Sequence, residues 1–302
     1  MRALITGITG FVGQHLAREL LDAGFEVHGL STEQTSIDGV TMHLGDITDT
    51  GRLQEIIGVS NPEAIVHLAG LSHVGESWKR PGDYLRVNFV GTRNMLHAAE
   101  GRRILFASSS EVYGHVPEDQ QPITEERPPS PRSPYAMTKA CTEVIALDRN
   151  AIVVRSFNSI GPGQGRHFAL PSFATQLAKI ERGELEPVLR VGDLSPRRDF
   201  LHVADAAAAY RVLIERGESR QIYNLASGEA ASIGEALDRL RAISGVDAEV
   251  QRDEARVRPV DIPLLLGDNR RLRELGWEPR NGGLDHALRD IWEEIRRDPD
   301  GS

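Results

Sequence analysis

Short apolar runs alternate with amphipathic ones through the first half of the chain. ALIT (Ala3–Thr6), EVHGL (Glu26–Leu30), TMHL (Thr41–Leu44), AIVHL (Ala64–Leu68), RILFAS (Arg103–Ser108) and AIVVRSF (Ala151–Phe157) read as strands. Between them, apolar positions at helical spacing predict helices over Val12–Ala23, from Arg52, over Asp83–Glu100 and from Pro134. Buried β-branched runs alternating with helices are the signature of βαβ units and a parallel, doubly wound sheet. The second half is less regular. Helical patterns at Leu170–Arg182, Val203–Glu215, Ile233–Ser244 and Leu284–Arg296 are separated by Gly, Pro and charge clusters, and QIYNLA (Gln221–Ala226) reads as one more strand. The pattern breaks at FNSIGPGQG, which sets a boundary near Asn158–Gly163. The expected organisation is α/β. The sheet occupies residues 1–158, with returning segments near 198–226, and a smaller C-terminal lobe occupies 159–302.

TGITGFVG (Thr6–Gly13) follows the first strand and opens the first helix. A chain there must turn tightly at Gly7, approach a pyrophosphate near Gly10 and pack helix on strand at Gly13. That context predicts a Rossmann-type dinucleotide site rather than a merely structural turn. The second strand runs into Ser31, Thr32 and Glu33. An acidic residue there would hold the ribose of NAD and a basic one the phosphate of NADP. Ser31 and Thr32 could donate to a phosphate and Glu33 could accept from a ribose, so both cofactors stay open, with a lean to NADP. Asp46, after the next strand, is placed to meet an adenine amine, whereas His67 inside an apolar strand reads as a packed histidine.

SPYAMTKA (Ser133–Ala140) places Tyr135 and Lys139 four apart at a helix start, on one face. A free phenol titrates near about 10, and a neighbouring ammonium favours its ionised form. The expectation is that Lys139 lowers the Tyr135 pKa and holds a ribose hydroxyl. ASSSEVYG (Ala107–Gly114) supplies serine hydroxyls from a neighbouring strand end. Together these groups form an acid/base device for a sugar or alcohol oxygen, with a nicotinamide moving the hydride.

Composition narrows the classes further. A chain of 302 residues fits two domains or one large α/β domain with a lobe. Apolar content of 40% and charged content of 26% are ordinary for a soluble globular protein. A net charge of −9 argues against nucleic acid or an anionic membrane as the main partner, though not against a local basic pocket. The single cysteine, Cys141, permits no intrachain disulfide, fits a reducing cytoplasm, and reads as a small apolar helix residue. No run approaches the roughly 20 apolar residues of a membrane span, and no signal peptide is expected. No metal-ligand spacing stands out.

TGITGFVG, HLAG, ASSSEVYG and YAMTK, in this order, resemble the extended short-chain dehydrogenase/reductase family, nucleotide-sugar branch, from Leu4 to about Leu288. Later motifs, RSFNSIGPGQG, VGDLSPRRDFLHVADAAAAY, YNLASG and RPVDIPLLLGDNRRLRELGWEP, resemble GDP-4-keto-6-deoxy-D-mannose reductases and GDP-mannose 4,6-dehydratases. The resemblance implies a catalytic trio of Ser109, Tyr135 and Lys139, with Glu111 as a second acid/base in a dehydratase. It implies cofactor contacts from Gly7, Gly10, Phe11, Val12, Gly13, Ser31, Thr32, Asp46, Ile47, Leu68, Ala69, Tyr135 and Lys139. His73, Ser110, Asn158, Arg198 and Arg258 are then the substrate's residues, although Arg198 in its charged cluster also reads as solvated surface.

The implied activity is NAD(P)H-dependent reduction of GDP-4-keto-6-deoxy-D-mannose to GDP-D-rhamnose. The alternatives are GDP-mannose 4,6-dehydration, another nucleotide-sugar epimerase or decarboxylase, and a cofactor-binding regulator. The GPGQ and VGDLSPRRDF stretches favour the reductase, and Glu111 with SHVGES leans to the dehydratase. Three features depart from the family pattern: Ser159 where histidine is usual, the unclear Ser31–Glu33 signal, and a short helix after Lys139 that puts a standard homodimer in question.

Overall fold

A computed structural model describes residues 1–256, 262–298 and 300. The first part of the chain runs β1 (Arg2–Thr6), α1 (Phe11–Asp22), β2 (Glu26–Ser31), β3 (Val40–Leu44), α2 (Thr50–Ser60), β4 (Ala64–His67), α3 (Val74–Lys79), α4 (Pro81–Tyr84), α5 (Thr92–Ala98), β5 (Arg103–Ser109), α6 (Pro134–Asp148), β6 (Ile152–Ser156) and β7 (Asn158–Ile160). There follow α7 (Ala169–Glu181), β8 (Val188–Val191), β9 (Arg197–His202), α8 (Val203–Arg216), β10 (Ile222–Leu225), β11 (Ala230–Ser232), α9 (Ile233–Ser244), β12 (Glu249–Arg252), β13 (Leu264–Leu265), α10 (Arg270–Glu274) and α11 (Gly283–Arg297).

Seven parallel strands form the main sheet in the order β10-β6-β5-β4-β1-β2-β3. This is the Rossmann-type doubly wound sheet. Successive residues of each strand serve opposite cores, as the period of two requires. Ala3, Ile5, Val66 and Leu105 pack with Leu16, Leu20 and Leu213 of α1 and α8. Leu4, Ile65, Ile104 and Phe106 pack with Ile56 and Met95 on the other face. Burial on both faces explains why these strands read as continuous apolar runs. Strand order reverses between β1 and β4, and a crevice opens at their carboxyl ends.

Two regions differ from the sequence expectation. The helix expected over Asp83–Glu100 is three segments, with a π-helical stretch at Leu85–Gly91 between α4 and α5. Asn88 anchors the widened turn: its side chain bonds Leu71 N and O at 2.8 and 2.9 Å, and its carbonyl accepts from Thr92 Oγ1 at 2.6 Å. In the second half, β9 pairs with β7, β11 and β13, and β8 pairs with β12. Those strands are short and charged, as in RRDFLH and EVQR, so periodicity does not reveal them. Beside them α11 packs on α7 and α9 around Leu177, Leu237, Leu288 and Trp292. Asp199 of β9 ties the loops together, accepting from Ser227 N and Oγ at 2.7 Å, Gly228 N at 3.0 Å and Gly267 N at 3.3 Å.

Candidate active site

The crevice has a backbone wall and a side-chain wall. On the first, Gly7 has φ +71°, and a Cβ there would lie 2.7 Å from Ala69 N. A Cβ on Gly13 would lie 2.3 Å from the Gly7 carbonyl oxygen. Only glycine fits either position. No side chain caps the N-terminus of α1 at Gly10, so its N–H groups and positive dipole end are left for an anion. This cradle suits the pyrophosphate of a dinucleotide.

Helix α6 builds the second wall. Ser133 caps it, accepting from Ala136 N at 3.1 Å, and Pro134 occupies the first turn, where no N–H is needed. Tyr135 and Lys139 therefore face the end of β5 one turn apart. Lys139 Nζ donates to the Ala107 carbonyl at 2.7 Å and lies 5.0 Å from the Phe106 ring centre. Burial lowers its pKa to about 8, against the raising influence of Glu143. Tyr135 is buried, edge-on to Tyr84 at 6.3 Å. Burial pushes its pKa up to about 12, while hydrogen bonding with Ser109 pulls the other way. The expected lowering by Lys139 is therefore not what this geometry gives. The ammonium is turned to a backbone carbonyl, and desolvation dominates at the phenol.

Both walls line one cavity of 360 Å³. Gly7, Gly10, Phe11, Val12, Gly13 and Leu68 stand on one side, and Ser109, Ser110, Glu111, Tyr135 and Lys139 on the other. His73 and Asn158 line it too, and they also line an adjoining cavity of 630 Å³ with Arg198, Trp78 and Phe173. The His73 ring accepts from Glu76 N at 3.0 Å, capping α3. Asn158 Nδ2 donates to the Asp199 carbonyl at 3.4 Å. The solvated reading of Arg198 does not hold: it is buried, and Nη1 donates to the carbonyls of Arg197 and Ile262 at 2.8 and 2.7 Å.

Other expected residues lie apart from this cavity. Ser31 ends β2 and Thr32 follows it, with Ser31 Oγ accepting from Glu33 N at 3.0 Å. Asp46 is exposed after β3 and accepts from Thr48 N at 2.8 Å. The Ile47 side chain is buried, and a Cβ on Gly91 would come within 2.6 Å of it. Ala69 lies beneath the Gly7 turn. Arg258 lies outside the described residues.

His67 is a packed residue. It bonds Thr6 and Thr92 hydroxyls at 2.7 and 2.9 Å, and burial lowers its pKa to about 3. Cys141 sits on α6, exposed. Spacing gave no metal set, yet the fold gathers His202, His286 and Asp290. His202 Nδ1 accepts from Ala204 N at 3.0 Å, so the ring proton sits on Nε2, 3.1 Å from Asp290 Oδ2. That nitrogen is a donor to a carboxylate, not an open metal ligand.

Sequence reasoning also missed Tyr84, whose hydroxyl donates to the His73 carbonyl at 2.6 Å, and Gln164, which lines both cavities. Gln164 lies in the GPGQG stretch, whose glycines and proline mark a boundary and mask a side chain that points inward.

The family model for GDP-mannose 4,6 dehydratase matches residues 4–290. The chain belongs to this family. It is 36% identical over 289 residues to the GDP-6-deoxy-D-mannose reductase of Pseudomonas aeruginosa, covering 92% of both chains. The solved structure of RMD from Pseudomonas aeruginosa, complexed with NADPH, matches with a TM-score of 0.87 at 34% identity, over 98% of this chain and 99% of that one. The UDP-glucose 4-epimerase of Thermus thermophilus, in complex with NAD, matches with a TM-score of 0.88 at 30% identity, over the same shares. The protein is thus an NAD(P)-dependent nucleotide-sugar enzyme of the extended short-chain dehydrogenase/reductase type. No helix of the described residues is long and apolar enough to cross a membrane.

Proposed function

We propose that this enzyme reduces the C4 ketone of GDP-4-keto-6-deoxy-D-mannose to GDP-D-rhamnose, using NADPH in preference to NADH. The observation that carries the reading is the single cavity lined by the glycine cradle, Ser109, Tyr135 and Lys139, which opens beside a second cavity holding Arg198. A bound reduced nicotinamide supplies the hydride. Tyr135, protonated at neutral pH, gives its hydroxyl proton to the C4 oxygen as the carbonyl becomes an alcohol. Ser109 orients that oxygen. Lys139, largely charged at neutral pH, holds a ribose hydroxyl and stabilises the phenolate left on Tyr135 until solvent returns its proton.

The adjoining cavity suits the nucleoside diphosphate. Arg198 offers a guanidinium to phosphate, and Trp78 and Phe173 offer apolar surface to a base. Gln164 lines both cavities, and its Oε1 is buried with no hydrogen-bond partner, so a small turn of the side chain would offer an acceptor to a sugar hydroxyl. Residues 1–158 with α8 and β10 then form the cofactor domain and most of 159–302 the substrate lobe; the start of the returning segment expected near 198–226 belongs to the lobe, since β9 pairs with β7, β11 and β13. Leu85, Met137 and Val144 are exposed, and we assign their face to a homodimer contact, tested by sedimentation.

A second reading, GDP-mannose 4,6-dehydratase, is favoured by Glu111, which lines the same cavity and bears electrostatically on Tyr135. It would remove the C5 proton before the C6 hydroxyl leaves. Mixing the protein with GDP-4-keto-6-deoxy-D-mannose and NADPH, then NADH, separates the readings. Sugar-dependent loss of reduced-nicotinamide absorbance is expected. No loss with either cofactor, together with loss of water from GDP-mannose alone, contradicts the reductase and supports the dehydratase.

A further inference from the structure

The face of α6 that carries Tyr135 and Lys139 carries a third polar residue. Glu143 stands one further turn along, at the spacing that keeps side chains on one stripe. It is buried, at 3% exposure, and both its oxygens are used. Arg155 of β6 donates from Nη2 to Oε2 at 2.7 Å and from Nε to Oε1 at 3.0 Å. Ser108 Oγ adds a short hydrogen bond to Oε1. Arg155 lies 4.7 Å over the Tyr113 ring, and its Nη1 reaches the carbonyls of Glu125 and Arg127. Ser108 immediately precedes Ser109 on β5. One carboxylate therefore joins the serine end of β5, the catalytic face of α6 and the neighbouring strand. An ion pair this deep gains little stability over apolar packing, because desolvation offsets the attraction. Its placement points to another role.

We propose that Glu143 is a positioning residue for the acid/base pair: it fixes the serine end of β5 against the Tyr135–Lys139 face and balances the charge of the buried Lys139 ammonium. The proposal rests on the reading of Tyr135 and Lys139 as that pair. Glu143 on α6 and His67 on β4 bear on Lys139 directly, Tyr135 stands one turn before it, Glu111 after β5 bears on Tyr135, and Arg155 on β6 is paired with Glu143. Burial keeps His67 neutral and Tyr135 protonated at neutral pH. Glu143 is the group that opposes the burial of Lys139.

The sequence makes a direct test possible, because it contains only three lysines: Lys79, Lys139 and Lys179. The first and last form surface ion pairs with Glu76 and Asp300 and serve as internal controls. Lysine labelled with carbon-13 at the ε position gives one resonance for each. Titrated by NMR, Lys139 is expected to show a midpoint of about 8 in the parent protein. In Glu143→Gln that midpoint falls by about one unit or more, and the controls do not move. Glu143→Asp, which keeps the charge, restores a midpoint close to the parent value.

If Glu143→Gln strands Arg155 as an unpaired buried charge and does not fold, the double variant Glu143→Gln/Arg155→Met removes both charges, and the Lys139 midpoint is expected to fall by a smaller amount in the same direction, because a cation leaves with the carboxylate. An unmoved Lys139 midpoint in either folded variant overturns the proposal, even if the melting temperature falls, since a merely structural role lowers stability alone. The titration uses neither substrate nor cofactor. A failure of the functional reading would instead show as absent turnover with the Lys139 shift intact.

Discussion

The two walls of the crevice are made of different materials. The β1–α1 wall works through backbone: Gly7 and Gly13 let the chain close on itself, and the uncapped start of α1 presents N–H groups. The β5–α6 wall works through side chains: Ser109, Tyr135 and Lys139 are held by capping, burial and the Glu143–Arg155 pair. A backbone wall can bind a phosphate but has nothing to titrate. A side-chain wall can move a proton, and each of its groups can be removed singly without closing the space. Binding and chemistry should therefore come apart under mutation.

The largest expected effect is on the side-chain wall. Tyr135→Phe removes the proposed proton donor and little volume, so turnover should fall about 10²–10⁴-fold while cofactor affinity, read by nicotinamide fluorescence, stays within a few-fold. A parallel loss of affinity would show that the walls are not separable. Gly13→Ala attacks the other wall. With a Cβ 2.3 Å from a backbone oxygen, α1 must shift, and cofactor affinity should drop by roughly tenfold or more as phosphate-facing donors move. Unchanged binding isotherms would mean the cradle is not where the phosphates sit. Arg198→Gln should raise KM for the nucleotide-sugar by about tenfold or more with kcat and cofactor affinity little changed. A fall in kcat alone would place Arg198 with the chemistry instead.

Lys139 gives a pH signature. Its folded-state pKa of about 8 lies below the ordinary lysine value of 10.5. Between those values the unfolded chain binds more protons, so the Lys139 contribution to stability rises with pH there. On the proposed role of its ammonium, turnover should decline as pH passes about 8. Melting curves of the parent and Lys139→Met, compared across that window, should show the parent gaining stability on the variant as pH rises; a difference that stays constant contradicts the assignment. His67→Leu is the smallest effect. It removes one hydrogen bond from each of the Thr6 and Thr92 hydroxyls, which keep Ala69 N and the Asn88 carbonyl as partners, and should cost about 1–3 kcal/mol of stability, with turnover nearly unchanged.

What the sequence reveals follows the same division. Strands buried on both faces announce themselves as apolar runs, and the Gly7–Gly13 turn and the Tyr135–Lys139 spacing are local patterns. The surroundings of Arg198, Glu143 and Gln164 depend on contacts between distant segments, such as Arg198 with Ile262 and Glu143 with Ser108, and no window of sequence shows them. The π-helical turn at Leu85–Gly91 is likewise set by the reach of Asn88 to Leu71. The direction of the Tyr135 pKa is misread from sequence because spacing shows a nearby ammonium but not how completely the phenol is buried.

The most direct test follows the hydride itself. GDP-4-keto-6-deoxy-D-mannose is incubated with NADPH carrying deuterium at both nicotinamide C4 positions, and the sugar product is weighed. A 4-ketoreductase delivers one deuterium from the cofactor to C4 of the product. Unlabelled product, or turnover only of GDP-mannose with loss of water and no label from the added cofactor, contradicts the reductase and moves the assignment to the dehydratase, with Glu111 as its base.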